Sequence, residues 1–293
     1  MKNRKAIIFG IKGTKLTFRE KNLLKNSNPW GIILFDRNIK NIKQVQDLTN
    51  QIKNIINLDY FDQESFGDLY IKNKKNFNIA YESYIDMVSD ILNCMGININ
   101  TVPVLDIRRK NSHKIIGSRS FSKNKKIVYK LGRLCIKFYK KNKIATVMKH
   151  IPGHGLTNKD SHYSTPIIKS SKKNLIRNDF IPFKKCISFF AMTAHIVFNS
   201  YDVKNTATHS KTIIKNLIRG KLGFKGILIS DDITMKALKF NIETNAIKAI
   251  EAGCNLVLHC NGNINEMKRL IKVVPNIDRF THKKTSDFYK FLG

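Results

Sequence analysis

Acidic residues are scarce in this chain. Twenty-one Asp and Glu stand against fifty-three Lys and Arg, a formal net charge of +32. Such an imbalance raises nucleic acid as a partner. The cations are mostly Lys, however, and they are spread from end to end together with many Asn and Ile. All three residues have AT-rich codons, so compositional bias accounts for the charge. Salt-dependent, nonspecific binding to polyanions follows from it, and no specific nucleic-acid partner does.

Cysteine is equally uninformative as a framework. The five cysteines are odd in number and widely spaced, with no Cys-x-x-Cys pair, which excludes a disulfide scaffold and a zinc site of that type. No apolar run reaches the ~18 residues of a membrane span. The basic start Met1-Lys2-Asn3-Arg4-Lys5 is followed by an apolar run only from Ala6 to Phe9, too short for a signal-peptide core. A cytoplasmic protein with no membrane partner is expected. Also missing are a Walker A loop, a G-x-S-x-G elbow and a G-x-G-x-x-G after the first strand. A metal-dependent hydrolase could use His150, His154, His162, His195 and an Asp, but no H-x-H or H-E-x-x-H spacing supports it; no metal and no cofactor are expected.

What is present is a regular alternation. Apolar runs with strand character occur at Ala6–Ile11, Gly31–Phe35, Ile56–Phe61, Ile99–Leu105, Ile144–Met148, Phe189–Ile196, Gly226–Ser230 and Asn255–Leu258. Segments of 3.6-residue periodicity lie between them, such as Ile42–Ile55 with Val45, Leu48, Ile52 and Ile55 on one face. Strands covered on both faces read as continuous apolar runs. The pattern predicts an α/β fold, a single (β/α)₈ barrel over residues 1–276, with 277–293 as a charged C-terminal tail. A doubly wound open sheet is the alternative.

A barrel gathers its chemistry at the C-terminal ends of its strands. Those ends carry Asp62 and Glu64, Asp106, Lys149 and His150, His195, Asp231 and Asp232, and His259. An Asp at a strand end is commonly a helix cap, and a lone His is commonly a satisfied core residue. Ionisable groups at six strand ends of one barrel instead converge on a pocket. By elimination the chemistry is that of carboxylate and imidazole on an organic substrate.

The densest stretch, Lys149-His150-Ile151-Pro152-Gly153-His154-Gly155 with Asp160-Ser161-His162, resembles the K-H-F-P-G-H-G…D-S-H signature of family 3 glycoside hydrolases, most closely the bacterial cytoplasmic β-N-acetylhexosaminidases. Trp30–Asn38, Pro103–Asp106, Ile116–Phe121, Met192–His195 and Gly223–Met235 are similar to further family segments, so the resemblance spans nearly the whole chain. It implies a retaining, two-step hydrolysis of terminal β-linked N-acetylglucosamine, with muropeptide fragments as the small-molecule substrate in peptidoglycan recycling, by a monomer. By resemblance Asp231 is the nucleophile, His162 the general acid/base and Asp160 the residue that orients His162. Asp62, Arg119, Lys149 and His150 bind the sugar, and His154 is structural. Asp232 is read as a supporting or capping residue.

One segment departs from the family pattern. After Asp62-Gln63-Glu64 relatives continue G-G-R-V into a proline-containing loop; here Ser65-Phe66-Gly67-Asp68-Leu69-Tyr70 follows directly. The loop with its sugar-binding Arg is missing, so that part of the pocket is expected to be absent or supplied by another group such as Lys72 or Lys74. An altered but active enzyme is the leading expectation. A degenerate sugar-binding barrel and a phosphorolytic variant are the alternatives.

Overall fold

The structure, a computed structural model, describes residues 4–52, 62–109, 116–157, 161 and 163–293. Its strands are β1 (Lys5–Gly10), β2 (Pro29–Ile33), β3 (Ile99–Asn100), β4 (Ala145–Ile151), β5 (Ile167–Ile168), β6 (Phe190–Thr193), β7 (Val197–Phe198), β8 (Ile227–Asp232) and β9 (Leu256–His259). Its α-helices are α1 (Phe18–Ser27), α2 (Ile42–Ile52), α3 (Gln63–Lys72), α4 (Lys74–Cys94), α5 (Lys125–Lys141), α6 (Lys172–Arg177), α7 (Ile242–Ala252), α8 (Ile264–Val273) and α9 (Arg279–Leu292). Seven strands form one parallel sheet in the order β2-β1-β9-β8-β6-β4-β3. The expected third strand, 56–61, lies outside the described residues.

The sheet curls into a barrel. Trp30 and Ile33 of β2 line the same small central cavity as Ile99 of β3 and Thr101 just beyond it, although these strands stand at opposite ends of the strand order. The Trp30 ring also meets Phe190 of β6 edge-on, with centroids 5.5 Å apart. Strands β5 and β7 pair with each other, in the loops after β4 and β6. Two residues each, they are too short to leave a sequence signal.

Local chemistry explains the boundaries. Regular pairing of β3 stops early because Pro103 has no N–H. Leu105 N–H still donates to the Lys149 carbonyl (2.7 Å), so the stretch to Leu105 keeps its place beside β4. Helix α1 starts at a Thr17/Glu20 capping box, and α7 stops at Gly253, whose φ of +116° a side chain rarely tolerates. The segment Ile213–Lys221, before β8, is wound as a π-helix.

The charged tail expected at 277–293 is instead largely helix α9. Asp278 caps it by accepting from Thr281 N–H (2.7 Å), and Thr281, Thr285 and Phe288 form one buried stripe. The Trp30 indole N–H donates to Thr285 Oγ1 (3.0 Å), and Phe288 packs on Phe190 at 5.3 Å. The helix therefore closes the end of the barrel opposite the polar strand ends. Its charges on the remaining faces hid that stripe from a reading of composition.

Candidate active site

Strand β4 delivers Lys149 and His150 into the mouth of the barrel, where both are nearly covered, at 4% and 7% exposure. Lys149 Nζ donates to Thr101 Oγ1 at 3.3 Å. The chain then turns through Pro152, Gly153 and Gly155. At Gly155 a Cβ would run into the Ile107 carbonyl, so only glycine lets the loop lie against the segment that follows β3.

Asp106 organises this turn from beneath. Its carboxylate is fully buried and accepts from the backbone N–H of His154 (2.6 Å), the backbone N–H of His150 (3.3 Å) and His150 Nδ1 (2.7 Å). Burial pushes its pKa up. The His150 imidazole, His154 and their hydrogen bonds outweigh that and hold it below the ordinary carboxylate value. With Nδ1 bound to Asp106, Nε2 is the ring nitrogen of His150 left for a ligand.

His154 is satisfied on both sides, Nδ1 by the Thr157 hydroxyl (3.0 Å) and Nε2 by the Ser161 hydroxyl (3.2 Å). Burial, reinforced by His150, lowers its pKa to about 4, so it is neutral at pH 7. It ties the turn to Ser161 and is not a proton carrier. Asp160 and His162, which flank Ser161, lie outside the described residues.

Strand β8 ends in two carboxylates with different surroundings. Asp232 accepts from Thr234 N–H (3.1 Å), Thr234 Oγ1 (2.8 Å) and Cys260 N–H (3.3 Å), which fastens the turn after β8. Among the described residues Asp231 accepts only from Asp232 N–H (2.8 Å). Burial raises the Asp231 pKa, but the His150 and His195 imidazoles, that N–H and Lys149 together draw it below its ordinary value. It is an ionised, uncommitted carboxylate on the cavity wall. His195 lies below it, with Nε2–H donating to the Asp232 carbonyl (2.9 Å) and Nδ1 accepting from the Thr208 hydroxyl (2.7 Å). Desolvation keeps its pKa low, so it too is neutral.

Lys149, His150, His154, Asp231 and Asp232 share a cavity of about 200 Å³, lined also by Phe35, Thr101, Arg119, Ser161, Met192 and Met235. The structure thus brings together Asp231, Lys149, His150 and Arg119 of the sites expected from sequence. Asp62 is not among the described lining residues; it is exposed at the N-terminus of α3. Lys72 is the last residue of that helix, ~15 Å along its axis by helical rise, and Lys74, the first residue of α4, lies over the Tyr70 ring. Asp106 carries more of the site than its sequence signal, a lone acid at a strand end, suggested. Among the described residues no cluster of His, Cys, Asp and Glu could hold a metal ion.

An anionic carboxylate beside cations in a one-ring cavity suits a glycosyl-transfer site, and comparison with known proteins agrees. The profile of the Glycosyl hydrolase family 3 N terminal domain matches residues 69–286. A beta-hexosaminidase of Photobacterium profundum is 31% identical, over 98% of this chain and 92% of its own. The chain belongs to glycosyl hydrolase family 3. As a family 3 glycoside hydrolase it superposes on NagZ from Neisseria gonorrhoeae in complex with N-trifluoroacetyl-D-glucosamine, with a TM-score of 0.83 and 28% identity over 99% of this chain and 90% of that one. A family 3 β-N-acetylglucosaminidase from Paenibacillus sp. str. FPU-7 gives 0.86 at 25% identity, covering 98% of this chain but 60% of that longer one. The family 3 barrel is the (β/α)₈ fold expected from the strand pattern. Among the described residues no helix is long and apolar enough to cross a membrane.

Proposed function

We propose that the protein is a retaining exo-β-N-acetylglucosaminidase that releases terminal β-linked N-acetylglucosamine from muropeptide fragments. The observation that carries this reading is Asp231: an ionised carboxylate at the end of β8, in contact distance of the cavity and free of the structural bonds that occupy Asp232. The hexosaminidase relatives and the N-trifluoroacetyl-glucosamine complex of a structural neighbour support the choice of sugar. A cavity of about 200 Å³ lies below the ~300–1,000 Å³ usual for drug-sized ligands and suits one ring, hence attack at a chain end.

In the first step Asp231 attacks the anomeric carbon, the glycosidic C–O bond breaks, and His162 gives its proton to the departing oxygen. The product is a covalent ester between sugar and Asp231. In the second step His162, now neutral and oriented by Asp160, takes a proton from water, whose oxygen displaces Asp231 with net retention. The covalent neighbour of both loop residues, Ser161, lines the cavity and is anchored by His154 and by Ala237 N–H (3.1 Å), which supports a role for that loop at the reacting bond. Lys149, His150 Nε2 and Arg119 hold sugar hydroxyls. The muropeptide assignment and the place in peptidoglycan recycling rest on the family resemblance.

The test is trapping with a 5-fluoro N-acetylglucosaminide followed by peptide mass spectrometry. A sugar adduct on Asp231, together with turnover of a chromogenic β-N-acetylglucosaminide, is the expected result. An adduct elsewhere, or sugar 1-phosphate as the product when phosphate is added, contradicts the mechanism.

A further inference from the structure

We infer that Tyr163 and Lys236 form the platform for the leaving group at the mouth of the pocket, the ring packing on the face of the departing sugar and the ammonium meeting its acidic substituents. The inference rests on the glycosidase reading above and names the part of the substrate that lies outside the one-ring cavity.

Position is the first argument. Ser161 and Met235 both line the cavity. Tyr163 follows Ser161 by two residues, and Lys236 follows Met235 directly. The two segments are stitched together: Ala237 N–H donates to the Ser161 carbonyl at 3.1 Å, and the Thr165 hydroxyl donates to the Ala237 carbonyl at 2.6 Å. Across this seam Lys236 Nζ stands 5.9 Å from the centroid of the Tyr163 ring, within cation–π range. The pair is therefore carried by two segments joined by the same bonds that hold a wall of the pocket.

The second argument is exposure. Tyr163 is 74% exposed, and Lys236 has no acidic partner among the described residues. A single exposed apolar residue needs no explanation, but this one lies two residues from a wall of the cavity and is held by a cation. The apolar C–H face of a pyranose covers such a ring well, and tyrosine presents it at little cost in side-chain entropy.

The third argument is direction. The general acid of a glycosidase must reach the departing oxygen. On the mechanism proposed above His162 acts on the departing oxygen, and Tyr163 is its next residue. A second ring attached to a sugar in this cavity leaves past Tyr163 and Lys236.

The test compares wild type, Tyr163→Ala, Tyr163→Phe and Lys236→Met. The substrates are methyl β-N-acetylglucosaminide, N-acetylglucosaminyl-β-1,4-N-acetylglucosamine and N-acetylglucosaminyl-β-1,4-glucuronic acid. Affinity for the S-linked forms of both disaccharides is measured in parallel by calorimetry. Tyr163→Ala is expected to lower kcat/KM about three- to tenfold on both disaccharides, mainly through KM, and to weaken the S-linked analogues equally, with a much smaller change on the methyl glycoside. Tyr163→Phe keeps the platform and restores both values. Lys236→Met is expected to penalise only the glucuronide, about threefold. Equal losses on all three substrates, or none, overturn the inference. If the wild type cleaves none of them, the glycosidase reading fails, and the calorimetry decides alone: equal affinity of wild type and Tyr163→Ala overturns the platform, and a threefold weakening sustains it.

Discussion

On the β4–β8 side of the pocket, polar side chains are held by other polar side chains or by backbone: Lys149 by Thr101, His150 by Asp106, His154 by Thr157 and Ser161. On the α3 side the chain goes straight from Asp62 into a helix, Asp62 makes no side-chain cap, and the wall is pinned to the sheet through Gln63. The first side is preorganised for charge, which is where electrostatic catalysis draws most of its power. The second contributes no residue to the described lining of the cavity. The groups proposed for the chemistry are thus held by partners outside α3.

The sharpest way to break this contrast is within the strong side, between two adjacent acids. Asp231→Asn is expected to lower kcat/KM on a chromogenic β-N-acetylglucosaminide by about 10³-fold or more, the scale for loss of a nucleophile. Its fold should survive, since among the described residues the Asp231 carboxylate has a single hydrogen bond, to the next residue. Asp232→Asn should behave in the opposite sense. It weakens three bonds around the β8 turn and costs stability of about 1–3 kcal/mol, with a smaller loss of rate. Steady-state kinetics and urea melts on both variants distinguish the roles. Equal kinetic loss in the two would mean that the geometry has been read the wrong way round.

Asp106 is the next largest effect. Asp106→Ala leaves the His150 imidazole and two backbone N–H groups buried without their acceptor. A loss of about 3–5 kcal/mol is expected, as for breaking a buried pair from one side. Denaturant midpoints measure it. A variant within about 1 kcal/mol of wild type would show that the turn does not depend on this carboxylate.

Asp106 also marks how far the sequence could be read. It stands out as an acid at a strand end, but its partners lie 44 and 48 residues away and two of them are backbone N–H groups. No spacing or motif encodes that. The strands were legible for the converse reason: buried on both faces, they are apolar throughout. Helix α9 was not, because only Thr281, Thr285 and Phe288 of its fourteen residues are buried and two of those are polar. Lys149, His150 and Asp231 were legible through local motifs at strand ends, and Arg119 through a motif in the loop before α5. The motif around Asp62 carried less, because here this residue directly precedes a helix and is not among the described lining residues of the cavity.

A third effect is read from pH. His154 titrates near 4 in the folded protein and near 6.5 when unfolded. Between those values the unfolded chain holds the extra proton, so stability falls by about 1.4 kcal/mol per unit as pH drops from 6.5 to 4, about 3 kcal/mol in all. Asp106 and Asp231, with folded pKa values below the ordinary carboxylate range, give stability that is complete above about pH 4 and lost only as pH falls further. Urea melts at pH 7, 6 and 5 should therefore show the loss beginning well above the carboxylate range. His154→Gln should reduce that slope by one proton. An unchanged slope would mean that His154 is not buried neutral.

The smallest effect tests the weak side. The Gln63 amide donates to the Val104 carbonyl (2.9 Å) and accepts from the Val104 N–H (2.9 Å), as a neighbouring strand would. Gly67, one turn on, lies so close to the Phe121 carbonyl that a Cβ would collide with it, so α3 cannot shift to compensate. Gln63→Ala leaves both Val104 groups unpaired and is expected to cost about 1–3 kcal/mol. Because Gln63 does not line the cavity, kcat/KM should change far less than in Asp231→Asn. Gln63→Glu sharpens the point: a carboxylate can still accept from Val104 N–H but has no donor for the carbonyl, so it should recover only part of the loss. Melts of the two variants measured side by side decide it. Full recovery with Glu would show that the acceptor alone holds the wall, and a fall in kcat/KM as large as that of Asp231→Asn would show that the two sides of the pocket are not independent.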